Sequence, residues 1–261
     1  MSDSADSALH VKPYVYEAKG LKALHFSIHE IQSSMQTARP FALELEYTRA
    51  MMAFLLLIPA PATLAMIGLG GGSMAKFCHR FLPQTRIKVL EINPHVIALR
   101  EAFEVPPDDE RFLIRRADGA EFVRLPPYRQ DVLLVDGFDD QGQPPALCSQ
   151  RFYDDCFETL SDDGLMVANL HAGHKHFDAH LARIERSFGP DQMLFIKDSE
   201  RSNAVVFASR GPQLQSFKSA PLRQPANFDA ETWADMMPAF AQLAAAVKAK
   251  QASSGEPSFR P

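Results

Sequence analysis

The chain has 261 residues, of which 46% are hydrophobic and 23% are charged. These values fit one folded domain with small additions, and they exclude a wholly disordered chain, a collagen-like chain and a small disulfide-stabilised protein. The formal net charge is −5 and no basic segment stands out, so we expect no nucleic-acid partner. The three cysteines contain no Cys-x-x-Cys pair and suggest no disulfide framework, which favours a reducing, cytoplasmic location.

Residues 1–60 are predicted to form an N-terminal extension. Residues 1–10 are polar and typical of a disordered leader, without the pattern of a signal peptide. Apolar side chains alternate loosely over residues 14–32, which predicts a short β-hairpin or meander with its turn near Lys19-Gly20. The apolar content and the length of residues 40–58 predict a helix that packs into the core.

One long uncharged segment raises the question of a membrane span. No charged residue lies between Arg49 and Lys76, and such a length could cross a bilayer. Pro59 and Pro61 interrupt the segment, and glycines cluster at its end. We therefore interpret it as the end of a helix, a turn and a buried strand that leads into a glycine loop, and we expect no membrane partner.

Apolar strands alternate with amphipathic helices over residues 61–211, which predicts an α/β domain with parallel strands and helical crossovers. The last two strands are joined by a polar turn from Asp198 to Asn203, which is too short for a crossover helix, so we expect them to pair antiparallel. A mostly parallel seven-stranded sheet with an antiparallel terminal hairpin is the Rossmann-like layout of S-adenosylmethionine-dependent methyltransferases.

The predicted strands are 64–69, 87–92, 112–115, 132–135, 165–170, 193–196 and 205–208, and the predicted helices between them are 73–82, 94–103, 151–160 and 176–188. Residues 212–261 are predicted to form a linker and a C-terminal helix over 231–249, which Pro238 weakens.

Three features at predicted strand ends indicate a nucleoside site. Gly68, Gly70 and Gly72 follow the first strand, where glycines allow a tight turn and close approach of the backbone to a ligand. The next strand ends in Glu91, whose carboxylate is placed to accept hydrogen bonds from both ribose hydroxyls. The third strand is followed by Asp118 and Gly119, where a carboxylate can bind the exocyclic amine of adenine. A dinucleotide such as NAD is the competing ligand, but the antiparallel terminal pair favours the methyltransferase-like fold.

A run of acidic residues follows the fourth strand. Asp136, Asp139 and Asp140 lie at the carboxyl end of a parallel strand, the place where open α/β sheets bind ligands. This crowding of negative charge predicts a site for a cation or an amine. A solvated acidic loop without a ligand is the alternative interpretation.

Histidines cluster after the fifth strand of the predicted sheet, and they are His171, His174, His176 and His180. His176 and His180 are four residues apart and could share a helix face as metal ligands do. No cysteine or other ligand pattern supports a metal, so we predict a polar loop over the site and no metal.

Several segments together resemble the polyamine aminopropyltransferases, the spermidine synthase family. They are the glycine loop, Glu91-Ile92-Asn93-Pro94-His95-Val96-Ile97, Asp118-Gly119-Ala120-Glu121-Phe122, the residues from Asp136 to Gly142, and Phe152-Tyr153. The resemblance covers about residues 20–210 and includes Gln32 and Tyr47, at positions where the family has a Gln and a Tyr-His-Glu motif.

The resemblance implies a transferase with no tightly bound cofactor, which uses decarboxylated S-adenosylmethionine as a co-substrate. Its ribose would bind Glu91 and its adenine would lie near Asp118. Asp139 is predicted to be the base that takes a proton from an amine such as putrescine, and Asp136 to hold that amine. Gln32 and Tyr47 would bind this substrate. The resemblance also implies a homodimer.

This chain departs from the family at two informative places. Gly71 replaces the Asp of the family's Gly-Gly-Gly-Asp-Gly-Gly loop, which would bind the donor's amine and repel the carboxylate of ordinary S-adenosylmethionine. Tyr47-Thr48-Arg49 replaces Tyr-His-Glu. Two alternatives therefore stay open: a methyltransferase that uses S-adenosylmethionine, and a nucleoside-binding homologue without turnover.

Overall fold

The computed structural model describes residues 10–27, 30–139, 142–218 and 221–254. The N-terminal part forms a three-stranded antiparallel sheet of β1 (Tyr14–Ala18), β2 (Leu21–Ser27) and β3 (Glu30–Gln36). Lys19 and Gly20 make the tight turn between β1 and β2, and both have positive φ, at 51° and 78°. Of the two predicted forms the structure shows the meander, with the turn at the predicted place.

The central sheet has seven strands, which are β4 (Thr63–Ile67), β5 (Arg86–Glu91), β6 (Phe112–Arg116), β7 (Gln130–Val135), β8 (Leu160–His171), β9 (Met193–Lys197) and β10 (Asn203–Ser209). Their order is β6-β5-β4-β7-β8-β10-β9. β4 pairs in parallel with both β5 and β7, while β10 pairs antiparallel with β8 and β9. The predicted parallel sheet with an antiparallel terminal pair is thus confirmed.

The helices are α1 (Glu46–Met52), α2 (Ser73–Phe81), α3 (Pro94–Ile97), α4 (Gly119–Arg124), α5 (Gln150–Thr159), α6 (Phe177–Phe188), α7 (Gln213–Ser216) and α8 (Ala230–Ser254). Short 3-10 turns occur at Ala53–Leu56, Pro145–Leu147 and Pro190–Gln192. α8 continues through Pro238 and is longer than the predicted C-terminal helix.

Two predicted helices are shorter in the structure. The helix expected over 40–58 begins only at Glu46. The Leu45 carbonyl accepts the first helical N–H groups, those of Thr48 and Arg49, whereas the carbonyls of Leu43 and Glu44 bond the Arg49 guanidinium instead. The helix expected over 94–103 ends at Ile97, and the chain continues in tighter turns such as Arg100 N–H to the Ile97 carbonyl. α4 was not predicted from the apolar pattern.

Every strand of the sheet except the edge strand β6 presents alternate side chains to two separate apolar cores. On β4, for example, Leu64 and Met66 pack in the core shared with α1, α2 and α8, whereas Ala65 and Ile67 pack in the core shared with α5 and α6. Burial on both faces explains the continuous apolar run of this strand. Among the described residues, no helix is long and apolar enough to cross a membrane, and the uncharged segment supplies β4 instead.

Candidate active site

A cavity of about 910 Å³ opens at the carboxyl ends of β4, β5, β7 and β8. The predicted site residues that line it come from six separate parts of the chain and meet only in the fold. They are Gln32, Tyr47, Gly68, Gly70, Glu91, Asp118, Gly119, Asp136 and Asp139. Gly72 instead forms the N-cap of α2. The strand-end reasoning therefore located one common cavity.

The path of the glycine loop depends on two glycines that no other residue could replace without strain. Gly68 has a φ of 95°, and a Cβ there would lie 2.2 Å from the carbonyl oxygen of Asp136. Gly72 has a φ of 72°, and a Cβ there would lie 2.3 Å from Val105 Cγ2. The loop consequently runs tightly from β4 into α2 and leaves its backbone facing the cavity at Gly68 and Gly70.

Glu91 ends β5 with its side chain only 8% exposed. Its Oε2 accepts a hydrogen bond from the Leu69 N–H at 2.9 Å, and its Oε1 accepts one from the Asn93 N–H at 2.8 Å. Burial raises the pKa of this carboxyl, while the backbone N–H groups around it oppose the rise. The carboxylate is therefore fixed beside the glycine loop, where it lines the cavity.

Asp118 caps the helix that begins at the next strand end. Its Oδ1 accepts a hydrogen bond from the Ala120 N–H at 2.8 Å, which orients the carboxyl at the N-terminus of α4. Gly119 packs against Ile67, and a Cβ at this position would lie 2.4 Å from Ile67 Cγ2. Both residues line the cavity on the side of Glu91 and Ile92.

Asp136 has the most unusual environment of the predicted site residues. The Tyr47 hydroxyl donates to its Oδ2 at 3.3 Å, and the Asn169 amide nitrogen donates to its Oδ1 at 3.0 Å. Burial raises the pKa of this carboxyl to about 6, although both hydrogen bonds favour the ionised form. Burial and the adjacent carboxylate raise the pKa of Tyr47 well above its ordinary value, so this phenol stays protonated and able to donate.

Asp139 lies three residues further along the loop after β7. Its backbone forms an isolated bridge with Gly142, in which the Asp139 N–H donates to the Gly142 carbonyl at 2.9 Å. Both residues of the bridge line the cavity. Asp140, the other member of the predicted acidic run, lies outside the described residues.

The N-terminal extension contributes one wall of the cavity through Gln32 of β3 and Tyr47 of α1. Of the segment that replaces Tyr-His-Glu, Tyr47 lines this cavity. The Thr48 hydroxyl donates to the Leu45 carbonyl, and the Arg49 guanidinium bonds the carbonyls of Leu43 and Glu44. Arg49 also lines a separate cleft and does not supply a negative charge to the site.

The surroundings of Gly71 are crowded by side chains. A Cβ on Gly71 would lie 2.6 Å from Ser33 Oγ and 2.9 Å from Phe103 Cδ1. A side chain there would press against β3 and Phe103 instead of reaching freely toward a donor. The side chains of Ser33 and Phe103 would have to shift to admit an Asp at this position, and its binding of the donor's amine stays a prediction.

Sequence reasoning did not identify Asn169, although it sits at the carboxyl end of β8 and bonds Asp136. Its position at a parallel strand end was the available signal. His171, His174 and His180 line the cavity, but only His174 lies in the turn between β8 and α6, since His171 ends β8 and His180 lies on α6. Burial lowers the pKa of His180, with further lowering by Arg183, His174 and His176. The described residues contain no group of side chains suited to a metal ion.

Comparisons with known proteins agree with this geometry. Residues 44–186 match the spermine/spermidine synthase domain family. The chain is 38% identical over 212 residues to a polyamine aminopropyltransferase of Neisseria meningitidis, an alignment that covers 80% of this chain and 77% of that protein.

Two solved structures share the fold. A probable spermidine synthase of Corynebacterium glutamicum superposes with a TM-score of 0.66 at 18% identity, over 87% of this chain and 82% of that one. A spermidine synthase in complex with the transition-state analogue AdoDATO superposes with a TM-score of 0.56 at 19% identity, over 93% and 89%. At these identities the superpositions establish the methyltransferase-like fold alone.

Proposed function

Because the chain belongs to the spermine/spermidine synthase family, we propose that it is a polyamine aminopropyltransferase, which moves an aminopropyl group from decarboxylated S-adenosylmethionine to a primary amine. The observation that carries this proposal is the Asp136 carboxylate, which lies in the same cavity as the predicted nucleoside site and accepts hydrogen bonds from Tyr47 and Asn169.

The nucleoside part of the donor binds at the glycine loop in this proposal. Glu91 accepts hydrogen bonds from the ribose hydroxyls, and Asp118 lies beside the adenine, while the backbone at Gly68 and Gly70 approaches the donor closely. The donor is a co-substrate that leaves after each turnover, so no tightly bound cofactor is required.

The acceptor must lose a proton before it can attack, because an alkyl ammonium has a pKa of about 10. The free amine then attacks the carbon next to sulfur, the carbon–sulfur bond breaks, and its electron pair stays on sulfur, which becomes a neutral thioether. A nearby carboxylate receives the proton and releases it to water. The sulfonium is already a good leaving group, so alignment of nitrogen, carbon and sulfur is the main remaining task.

Two carboxylates are candidates for the base. The sequence predicts Asp139, which lies on the loop over the cavity. The environment of Asp136 supports this second residue more strongly, because a pKa of about 6 makes it a stronger base than an ordinary carboxylate and leaves it ionised at neutral pH. We assign proton acceptance to Asp136 and binding of the amine's charge to Asp139, which reverses the roles predicted from the sequence.

Methyl transfer from ordinary S-adenosylmethionine is the second candidate function. It is favoured by position 71, which carries no carboxylate to reject the donor's own carboxylate. In that case the same amine site would receive a methyl group.

The deciding experiment is mass spectrometry of products from either donor, supplied with a panel of mono-, di- and triamines. Aminopropylated product from the decarboxylated donor supports the proposal, and methylated product from the ordinary donor supports the alternative. Asp136→Asn and Asp139→Asn serve as paired variants. If Asp139→Asn abolishes turnover while Asp136→Asn retains most of it, the assignment of the base returns to Asp139.

The homodimer and the cytoplasmic location also stay proposals. The homodimer is supported by the family resemblance, and sedimentation velocity measurements would test it. The location is supported by Cys78, Cys148 and Cys156, which are free and buried, as is usual in a reducing compartment.

A further inference from the structure

Asn169 is the only described residue besides Tyr47 with a side-chain hydrogen bond to the Asp136 carboxylate. It lies near the carboxyl end of β8, lines the cavity and is 3% exposed. Its amide nitrogen donates to Asp136 Oδ1 at 3.0 Å, whereas its amide oxygen is buried and receives no hydrogen bond from the described residues.

The orientation of this amide follows from its partner. An ionised carboxylate only accepts hydrogen bonds, so the NH₂ group of Asn169 must face Asp136 and the oxygen must face away from it. Buried amide oxygens nearly always have a donor, and one without a partner calls for an explanation such as an absent ligand. Since Asn169 lines the cavity, a substrate N–H group is a donor of the required chemistry.

We propose that Asn169 is a positioning and specificity residue, whose N–H group orients the Asp136 carboxylate while its amide oxygen accepts a hydrogen bond from the attacking nitrogen of a primary amine. The inference deepens the proposed function and rests on it. After one proton has moved to Asp136, a primary amine keeps two N–H groups and directs its lone pair at the donor carbon. One N–H group then binds Asn169.

This arrangement predicts selection between amines. An N-methylated amine carries one N–H group fewer, so it must give up a hydrogen bond either to Asn169 or elsewhere in the site. The preference for a primary amine over its N-methyl derivative therefore depends in part on the Asn169 oxygen, as expected where a site built to bind an N–H group meets an analogue that lacks it.

Two variants separate the two roles of the side chain. Asn169→Leu has nearly the same shape and removes both the N–H donor and the oxygen. Asn169→Asp keeps the oxygen but loses the donor and adds a like charge beside Asp136. In both variants the acid limb of the kcat/KM profile should move to higher pH, by about one pH unit or more, because the ionised form of Asp136 loses a hydrogen bond. Only Asn169→Leu should lower the preference for the primary amine, by about tenfold.

The titration of Asp136 can also be followed without turnover. Carbon-13 NMR of aspartate carboxyl groups, assigned with Asp136→Asn, reports the pKa of Asp136 whether or not the protein transfers an aminopropyl group. Asn203→Ala is the control for this measurement, because the Asn203 amide donates to Asp198 instead of Asp136. Circular dichroism and thermal unfolding establish that each variant is folded.

The outcomes distinguish this inference from the function on which it rests. A raised Asp136 pKa in both Asn169 variants but not in Asn203→Ala, together with a reduced amine preference in Asn169→Leu, supports it. An unchanged Asp136 pKa in folded Asn169→Leu overturns the orienting role, and an unchanged amine preference overturns the role of the oxygen. If the wild-type protein transfers no aminopropyl group to any amine, the proposed function fails, and the specificity role fails with it. The NMR measurement still decides the orienting role.

Discussion

Replacing Asp136 by Asn should stabilise the protein while it removes catalysis. The carboxyl pKa rises from an ordinary value of 3.8 to about 6 because burial disfavours the charged form. The ionised group therefore destabilises the folded state above pH 6, and this destabilisation disappears as the pH falls below 4. A pKa rise of this size corresponds to at most about 3 kcal/mol at pH 8, and about half of that at pH 5, before solvent contact in the cavity reduces it.

The neighbours of Asp136 can accept the substitution. An Asn side chain with its oxygen toward Asn169 keeps the hydrogen bond from that amide. Its NH₂ group then faces the Tyr47 hydroxyl, which can accept as well as donate. The Tyr47 O–H loses its acceptor in this arrangement and must donate to water in the cavity, which offsets part of the gain from removing the charge.

Urea unfolding of the wild type and of Asp136→Asn at pH 5 and pH 8 measures the effect. We expect the variant to be more stable at pH 8 and its advantage to shrink at pH 5, while turnover falls by about 10²–10⁴-fold at a retained donor affinity. Asp139→Asn is the matched variant, because it removes a carboxylate three residues further along the chain that lacks the hydrogen bonds from Tyr47 and Asn169, and it should change stability less. If the difference in unfolding free energy between wild type and Asp136→Asn is the same at both pH values, the claim that ionised Asp136 destabilises the folded state is refuted.

Three further variants test other parts of the site. Glu91→Ala should weaken donor binding by more than about tenfold in calorimetry, because it removes charge-assisted hydrogen bonds to the ribose; an unchanged affinity would exclude Glu91 from the donor site. Tyr47→Phe should shift the acid limb of the pH–rate profile upward, because the ionised form of Asp136 loses a hydrogen bond, and a profile identical to that of the wild type would contradict this. Gly71→Asp should lower the melting temperature through its clash with Ser33 and Phe103 and leave the ratio of donor affinities unchanged. Partial recovery of stability in Gly71→Asp/Ser33→Gly would support the clash, whereas a stable single variant with a new preference for the decarboxylated donor would contradict it.

The sequence predicted the fold and the place of the site because both depend on local patterns. Buried strands read as continuous apolar runs, and polar residues at successive parallel strand ends must meet at one edge of the sheet. Glu91, Asp118 and Asp136 were therefore predicted to lie together from their positions at strand ends, and they line one cavity in the structure.

Long-range contacts could not be found in this way. Tyr47 bonds Asp136 across 89 positions and Asn169 does so across 33, and no periodicity reports such pairs. The direction of a side chain at position 71 depends on how β3 packs behind the glycine loop, which the loop sequence does not encode. The early end of α3 likewise follows from tertiary packing and tight turns instead of from helix propensity.

The placement of Gln32 and Tyr47 has a consequence for how the two substrates influence each other's binding. Both residues come from the N-terminal extension, yet they form a wall of the cavity that also contains the glycine loop. Any donor that contacts this wall stabilises the docking of the extension, and by reciprocity a docked extension raises donor affinity. A donor bound first would leave the wall already ordered for the amine, so the entropy of ordering it no longer opposes the second binding step. Donor and amine are therefore expected to bind cooperatively, each raising the affinity for the other.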